Sequence, residues 1–301
     1  MPVKGFLVLS RLPFLSPGIA ALVTGMAIGV SDGFAAEPLL SWMSVAGIGL
    51  IMLATYYFNE YFDYEGDIIN RKFTKFSGGS RAIPDMNVPR VVARIAGWSA
   101  MAALVVIAAI YLLFYFSDYP CLLPLALYGA FCGVFYSHPP FQWSYQGIGE
   151  IMIGGCYGVL ALVSGYYIVS GVLEPNMVLV AIPASLTIFC VIVANEFPDI
   201  EADRAVNKRT LVVRFGLRKA SAMYAIAMAL AYPFMVASVL VGISPFIAVA
   251  GLPVLLLSIL AILQTRNEGY AKHESQSKIA VYTLLANLLS STLFIPVVFL
   301  W

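Results

Sequence analysis

Long apolar segments alternate with short polar connections along the whole chain. A helix needs about 20 apolar residues to cross the hydrocarbon core of a bilayer, and nine segments meet that length. None of them shows the sustained polar–apolar alternation that is typical of a membrane β-barrel strand. The predicted helices cover residues 13–31, 40–63, 91–113, 119–137, 147–170, 176–198, 219–240, 243–264 and 278–300.

Composition supports the same interpretation. Of the 301 residues, 61% are hydrophobic and 11% are charged, whereas soluble domains carry about 25% charged residues. The mean hydropathy is +0.88. The sequence therefore predicts an all-α integral membrane protein, with one transmembrane domain over residues 1–301 rather than two soluble domains. The four cysteines lie in apolar stretches without metal-ligand spacing, so we interpret them as core residues.

The charges are distributed unequally between the two sides of this nine-helix topology. All 17 Lys and Arg residues fall on one side, whereas the other side carries Asp32, Glu37, Asp118 and Glu174. By the positive-inside rule the basic side is cytoplasmic. We therefore expect a multi-pass protein of the cell membrane, with the N-terminus and the charged loops in the cytoplasm and the C-terminus outside.

Two acidic clusters repeat one pattern. "NEYFDYEGD" (59–67) and "NEFPDIEAD" (195–203) both read N-E-x-x-D-x-E-x-D, and together they hold half of the 16 acids. They end the second and sixth predicted helices, so the chain contains an internal repeat. Such a repeat predicts a pseudo-symmetric bundle whose halves face a central cavity. Solvated helix caps are the alternative, but they do not explain a matched nine-residue pattern.

The spacing within each cluster indicates a metal site. Residues at i, i+4 and i+8 stay near one face of a helix, so each cluster offers one amide and two carboxylates together. Oxygen ligands at this density favour Mg²⁺, above all where a phosphate shares the site. We predict two Mg²⁺ ions and assign Asp63, Asp67, Asp199 and Asp203 as the catalytic residues. The predicted ligands are Asn59, Asp63 and Asp67 for one ion, and Asn195, Asp199 and Asp203 for the other.

Basic loops follow both acidic clusters. Acids and bases around one cavity suit a diphosphate bridged by Mg²⁺, because carboxylates hold the metal and Arg or Lys neutralise the remaining charge. Each basic residue has an alternative role as a topology charge. Tyr136 and Ser137 end the fourth predicted helix on the same side and are expected to border the cavity. The candidates for the diphosphate are Arg71, Lys72, Arg81, Lys208 and Arg209.

At these motifs the chain resembles the UbiA superfamily of intramembrane prenyltransferases. That family carries N/D-x-x-x-D-x-x-x-D after its second helix and D-x-x-x-D after its sixth, in register with both clusters here. The continuation "EADRAVNKRTLVVRFG" is similar to the family's second loop. Glu60 and Glu196 are a small departure, since Asp is common at both positions. "FSGGSRAIP" (76–84) and "YSHPPFQWSYQGIGE" (136–150) resemble the branch that prenylates 1,4-dihydroxy-2-naphthoate for menaquinone.

The resemblance implies nine helices around a cavity and Mg²⁺-dependent transfer of a prenyl group from an isoprenyl diphosphate to an aromatic acceptor. Besides 1,4-dihydroxy-2-naphthoate, the acceptors 4-hydroxybenzoate and geranylgeranylglyceryl phosphate stay open. The expected partners are the donor, a lipid-soluble acceptor and membrane lipid, with no nucleic acid. A cation-coupled transporter and a cation-binding scaffold are the competing classes. The acids at helix ends argue against a transporter, whose sites usually lie near mid-membrane. The role of Glu150, which opens the fifth helix, is left open.

Overall fold

The computed structural model describes residues 3–300. Within that range all regular secondary structure is helical, with no strand. Nine apolar helical segments, labelled α1 to α9 in chain order, account for most of it. They are Val3–Ser31, Pro38–Phe62, Arg90–Phe114, Leu122–Phe135, Gly149–Ser170, Met177–Ala205, Leu211–Val241, Ile247–Thr265 and His273–Val298.

Eight of the nine segments are long and apolar enough to cross a membrane, counted over the described residues. The exception is α4, which has 14 residues and at 1.5 Å per residue is about 21 Å long, short of a bilayer core of about 30 Å. The predicted all-α membrane class is confirmed. The count of nine complete spans stays a prediction, because α4 lies where the fourth helix was expected but is shorter.

Two helix boundaries differ from the sequence prediction in ways that affect the site. Helix α6 continues to Ala205 and contains Pro198, whereas hydropathy ends the helix at 198. The second acidic cluster is therefore helical throughout. Helix α2 ends at Phe62, and a short helix, Tyr64–Ile69, follows after Asp63. Hydropathy marks where a segment becomes polar, which is not where its backbone hydrogen bonds end.

The helices pack through small residues and buried polar contacts. Helices α1 and α5 approach so closely that a Cβ at Gly25 would overlap the carbonyl oxygen of Leu162, and one at Gly165 that of Leu22. Small residues allow such contact between apolar helices. Helix α6 contacts α5, α7 and α9, and α2 contacts α3 and α4. The Nδ2 group of Asn287 in α9 donates to Thr187 Oγ1 in α6 at 3.0 Å.

Three connecting segments meet at one end of the bundle. They are residues 63–89 between α2 and α3, residues 136–148 between α4 and α5, and residues 206–210 between α6 and α7, here called the first, second and third loops. Tyr145 of the second loop accepts a hydrogen bond on its carbonyl from the Arg209 amide at 3.1 Å. The loops therefore form one connected layer over the ends of α2 and α6.

Candidate active site

Both acidic clusters face one polar cavity of about 120 Å³ at the loop end of the bundle. Its wall carries five acidic side chains but only two basic ones, Arg11 and Lys208. The cavity is therefore strongly electronegative. All six residues predicted as metal ligands line it, namely Asn59, Asp63, Asp67, Asn195, Asp199 and Asp203.

The first cluster is held by neighbouring side chains at the end of α2. Asn59 donates from Nδ2 to Asp63 Oδ2 at 2.6 Å and to Ser137 Oγ at 3.1 Å. Tyr145 of the second loop donates its hydroxyl proton to the other oxygen of Asp63 at 2.8 Å. Asp63 is 8% exposed, so side chains of α2 and of the second loop, rather than solvent, hold this carboxylate.

The second cluster is fixed from the opposite half of the molecule. Asp199 in α6 accepts a hydrogen bond from Asn70 Nδ2 at 2.7 Å and another from the Gly78 amide at 2.9 Å. Both donors belong to the first loop. In return, Lys208 of the third loop reaches Asp63 of the first cluster at 2.6 Å. Each loop thus contacts the acids of the other repeat, and the two halves are locked together at the cavity.

Gly78 and Gly79 bring the first loop close to the acids. Both have positive φ, +71° in each case, and a Cβ on Gly79 would overlap the carboxylate of Asp67. Glycine adopts this backbone without steric cost. Among the described residues no hydrogen bond reaches the carboxylate oxygens of Asp67. Burial, followed by the nearby carboxylates of Glu60 and Asp63, raises the pKa of Asp67 well above its usual value.

Lys208 lies between the two acidic clusters. Its Nζ is 2.6 Å from Asp63 Oδ2 and 3.8 Å from Asp203 Oδ1. Burial lowers the pKa of this ammonium, but the carboxylates of Asp63 and Asp203 outweigh that effect and raise the pKa well above its usual value. Lys208 is therefore a fixed positive charge at the centre of the cavity wall.

The other four basic residues predicted for the diphosphate lie outside the cavity wall. Arg71, Lys72 and Arg209 are exposed, and Lys72 pairs with Glu201 at 2.6 Å. Arg81 forms a two-pronged contact with Asp85 at 2.8 and 2.9 Å and stacks on the ring of Phe73. Arg81 also donates from a guanidinium nitrogen to the backbone carbonyl of Asp67, and Glu201 is an exposed acid of the second cluster. Of the five predicted cations, Lys208 is the one that lines the acidic cavity.

Sequence reasoning did not select two residues that the fold brings to the site. Arg11 interrupts α1 in a left-handed conformation with φ of 46°, and its guanidinium lines the cavity 3.6 Å from Glu60. Tyr145 binds Asp63, as described above. Arg11 looked like a topology charge because it precedes the first apolar run. Tyr145 stood inside "YSHPPFQWSYQGIGE" without a distinguishing neighbour.

The glutamates of the first cluster serve other purposes than its aspartates. Glu60 accepts hydrogen bonds from the amide and the hydroxyl of Ser80, both at 2.6 Å, and thereby anchors the first loop. Glu65 is exposed. The structure therefore agrees with the spacing, which places Asn59, Asp63 and Asp67 on the cavity side of the cluster.

A second, larger cavity of about 260 Å³ adjoins the acidic one and is almost wholly apolar. Helices α2, α3, α4 and α5 supply most of its wall, and at the far end it reaches Leu40, Tyr111 and Ile168. Tyr136 lines both cavities. Ser137, the other residue expected at the border, is buried and binds Asn59.

The donor set fits Mg²⁺ that shares its shell with a substrate. Within residues 3–300 no three Asp, Glu, His or Cys side chains converge closely enough to enclose an ion by themselves. Mg²⁺ is usually held by one or two carboxylates and completed by substrate phosphates and water. The carboxylate of Asp67, which accepts no hydrogen bond among the described residues, is an oxygen donor of that kind, and so are the side-chain amide oxygens of Asn59 and Asn195.

The fold and the site together define the class of protein: an all-helical membrane bundle in which an acidic cavity adjoins an apolar one. The model of the UbiA prenyltransferase family matches residues 18–290. The chain belongs to that family.

Curated relatives agree with this assignment at low identity. The chain is 26% identical over 205 residues to a 1,4-dihydroxy-2-naphthoate octaprenyltransferase of Bacillus subtilis (strain 168), which covers 68% of this chain and 64% of that protein. It is 33% identical over 99 residues to a chloroplastic 2-carboxy-1,4-naphthoquinone phytyltransferase of Arabidopsis thaliana, with 29% and 25% covered. The matches thus span less than two thirds of these relatives' length.

Solved structures share the fold over nearly the whole chain. A digeranylgeranylglyceryl phosphate synthase superposes with a TM-score of 0.67 at 19% identity and covers 99% of both chains. A UbiA homologue from Archaeoglobus fulgidus, bound to GPP and Mg²⁺, gives a TM-score of 0.64 at 14% identity and covers 97% of this chain and 100% of that one.

Proposed function

We propose that this protein is a Mg²⁺-dependent intramembrane prenyltransferase that moves a polyprenyl group from an isoprenyl diphosphate to an aromatic acceptor. The observation that carries the proposal is the pair of adjoining cavities, one acidic and one apolar, that share Tyr136. A molecule with a charged head and a long apolar tail matches this pair. The relatives that act on naphthoate or naphthoquinone compounds favour a quinone precursor such as 1,4-dihydroxy-2-naphthoate as the acceptor.

The charge of the acidic cavity supports a role for divalent cations. Five acids against two bases would repel a bare diphosphate. The two predicted ligand sets, Asn59, Asp63 and Asp67 and their counterparts Asn195, Asp199 and Asp203, would hold the ions. When bound, Mg²⁺ would neutralise the diphosphate and so make it a better leaving group. Arg11 and Lys208 are the cavity cations that would contact its remaining oxygens.

In the reaction we propose, the bond between the first prenyl carbon and the diphosphate oxygen breaks, and a bond from that carbon to an acceptor ring carbon forms. Diphosphate leaves with the bonding electrons, and the proton lost by the ring carbon passes to the released diphosphate. The developing allylic cation needs a site without water. The apolar cavity would keep water from the tail, and Tyr136, which lines both cavities, would offer the electron-rich face of its ring to the cation.

Access from the bilayer is consistent with substrates that are soluble in lipid. Val105 on α3 and Leu127 on α4 line the apolar cavity, and they are 65% and 60% exposed. We propose that donor and product pass between α3 and α4. By the positive-inside rule, the basic loops support a cytoplasmic position for the acidic cavity.

The test uses purified protein in lipid nanodiscs with Mg²⁺, labelled geranylgeranyl diphosphate and a panel of aromatic acceptors. We expect a prenylated product and one diphosphate per product, and both should disappear with EDTA. Asp63→Asn should lower turnover about a hundredfold or more, whereas Glu65→Gln, a change to an exposed acid of the same cluster, should not. Donor binding without product or diphosphate release across the panel would refute the proposal.

A further inference from the structure

Glu150 is a buried acid that the proposed reaction does not use. It begins α5, directly after the second loop, and is 1% exposed. Its Oε1 accepts a hydrogen bond from the Leu211 amide at 2.7 Å, and among the described residues its Oε2 has no hydrogen-bond partner. A carboxylate buried so deeply requires a specific purpose, since removing its charge from water is costly.

The contact of Glu150 completes a cap at the start of α7. The first amides of a helix have no partner inside the helix. Here Leu211 donates to Glu150, Val212 to Glu196 at 3.4 Å, and Val213 to Thr210 Oγ1 at 3.4 Å. Three acceptors from three different segments therefore satisfy three consecutive amides, and the contact to Glu150 is the shortest.

This cap determines where the third loop lies. The loop has five residues, 206–210, between the end of α6 and the start of α7. At the α6 end the Lys208 amide donates to the Asp203 carbonyl at 2.8 Å, and the Arg209 amide donates to Tyr145. The Arg209 contact lies one residue after Lys208, and the Glu150 contact at Leu211, three residues after Lys208, is the next anchor toward α7. Because the loop is this short, we expect a shift of its α7 end to alter the position of the Lys208 side chain.

We propose that Glu150 is a positioning residue that holds the third loop so that Lys208 faces the acidic clusters. This inference rests on the proposed function, because it assigns to Glu150 a share of the site's affinity for diphosphate. Glu150 itself lies behind the wall and does not touch the substrate.

The first test measures amide hydrogen exchange over residues 209–213, which requires no activity. Glu150→Ala should speed exchange there about tenfold or more, since it removes a hydrogen bond to a charged group. Glu150→Gln keeps an oxygen acceptor for Leu211 and should stay near the wild type. Glu37→Ala is the matched control, because Glu37 caps the Leu40 amide at 2.7 Å at the opposite end of the bundle. Unchanged exchange in Glu150→Ala would overturn the proposal.

The second test measures steady-state kinetics with the diphosphate donor. Glu150→Ala should raise KM for the donor about tenfold and change kcat less, and Glu150→Gln should restore KM. When Glu150→Ala is combined with Lys208→Met, KM should rise little further, because Glu150 acts on the donor only through Lys208. A merely structural role would give full additivity, or the same KM change in Glu37→Ala, and either result would refute the positioning role.

Failure of the proposed function and failure of the positioning role give different results in these two tests. If the wild type transfers no prenyl group, the proposed function fails, and the exchange measurement still decides whether Glu150 holds the third loop. If Glu150→Ala does not fold, Glu150→Asp serves instead. Its carboxylate keeps the charge but is one methylene too short to reach the Leu211 amide, so it should speed exchange in the same segment, and unchanged exchange would count against the proposal.

Discussion

Gly79 provides a sharp test of how the first loop shapes the acidic cavity. It has φ of +71° and lies against the carboxylate of Asp67. Gly171, at the end of α5, has nearly the same φ, +70°, but a Cβ there would meet no atom within 4 Å. Alanine therefore imposes the same backbone strain at both positions, but only at Gly79 does it also displace an acid.

The magnitudes follow from the geometry. An alanine in this left-handed region costs roughly 1–2 kcal/mol, so both variants should lose that much stability. At Gly79 the new Cβ would also lie 2.9 Å from Cγ of Asp67, where ordinary contacts begin at 3.4 Å. The Cγ atom must therefore retreat by about half an ångström, and Oδ2, which the Cβ would overlap more deeply, by about 1 Å. A misplacement of about 1 Å at a reacting centre can cost about a hundredfold, so we expect kcat/KM to fall between about tenfold and a hundredfold.

The assay pairs thermal unfolding in detergent with prenyl transfer in nanodiscs. Gly79→Ala and Gly171→Ala should both unfold below the wild type, with Gly79→Ala the lower of the two because of its overlap with Asp67. Only Gly79→Ala should lose activity. Equal activity in the two variants would mean that the position of the Asp67 carboxylate does not matter, and the reasoning from the close approach of Gly79 would be refuted.

Two further predictions concern the packing and the second loop. Gly165→Ala should destabilise the bundle by about 1–3 kcal/mol, because its Cβ would overlap the Leu22 carbonyl, whereas Gly155→Ala, in open space, should leave the unfolding temperature unchanged; equal unfolding temperatures would contradict the close packing of α1 on α5. Tyr145→Phe should lower turnover about tenfold, because it removes the 2.8 Å hydrogen bond to Asp63; turnover within twofold of the wild type would show that this contact does not position the acid.

The sequence predicted the acids of the site better than its cations. The repeated spacing of Asn and Asp needs only one helix to bring three side chains to one face, and all six predicted ligands line one cavity. The basic residues lie on loops, where distance along the chain says little about direction. Lys208 turns inward to Asp63 and Asp203, which are distant from each other in the sequence, whereas Arg81 turns to Asp85, four residues away.

The helix boundaries show the same division between local and long-range information. Apolar runs located all nine helical segments, because the hydrophobic signal is local. The continuation of α6 to Ala205 was not foreseen, since its last two turns are polar and contain Pro198. Arg11 also escaped notice. Its place in the cavity depends on its left-handed backbone, which interrupts α1 just before Pro13. Pro13 is a local signal of that break, but it does not indicate which way the Arg11 side chain turns.

The position of Tyr136 between the two cavities has a consequence for how such a protein diversifies. In the function proposed above, a diphosphate head held among the aspartates would fix the first prenyl carbon at one depth, whatever the number of isoprene units behind it. Tail length then affects how tightly a donor is held but not where its bond breaks. Substitutions at the far end of the apolar cavity, near Leu40 and Tyr111, can therefore change the preferred donor while the chemical step proceeds at an unaltered rate.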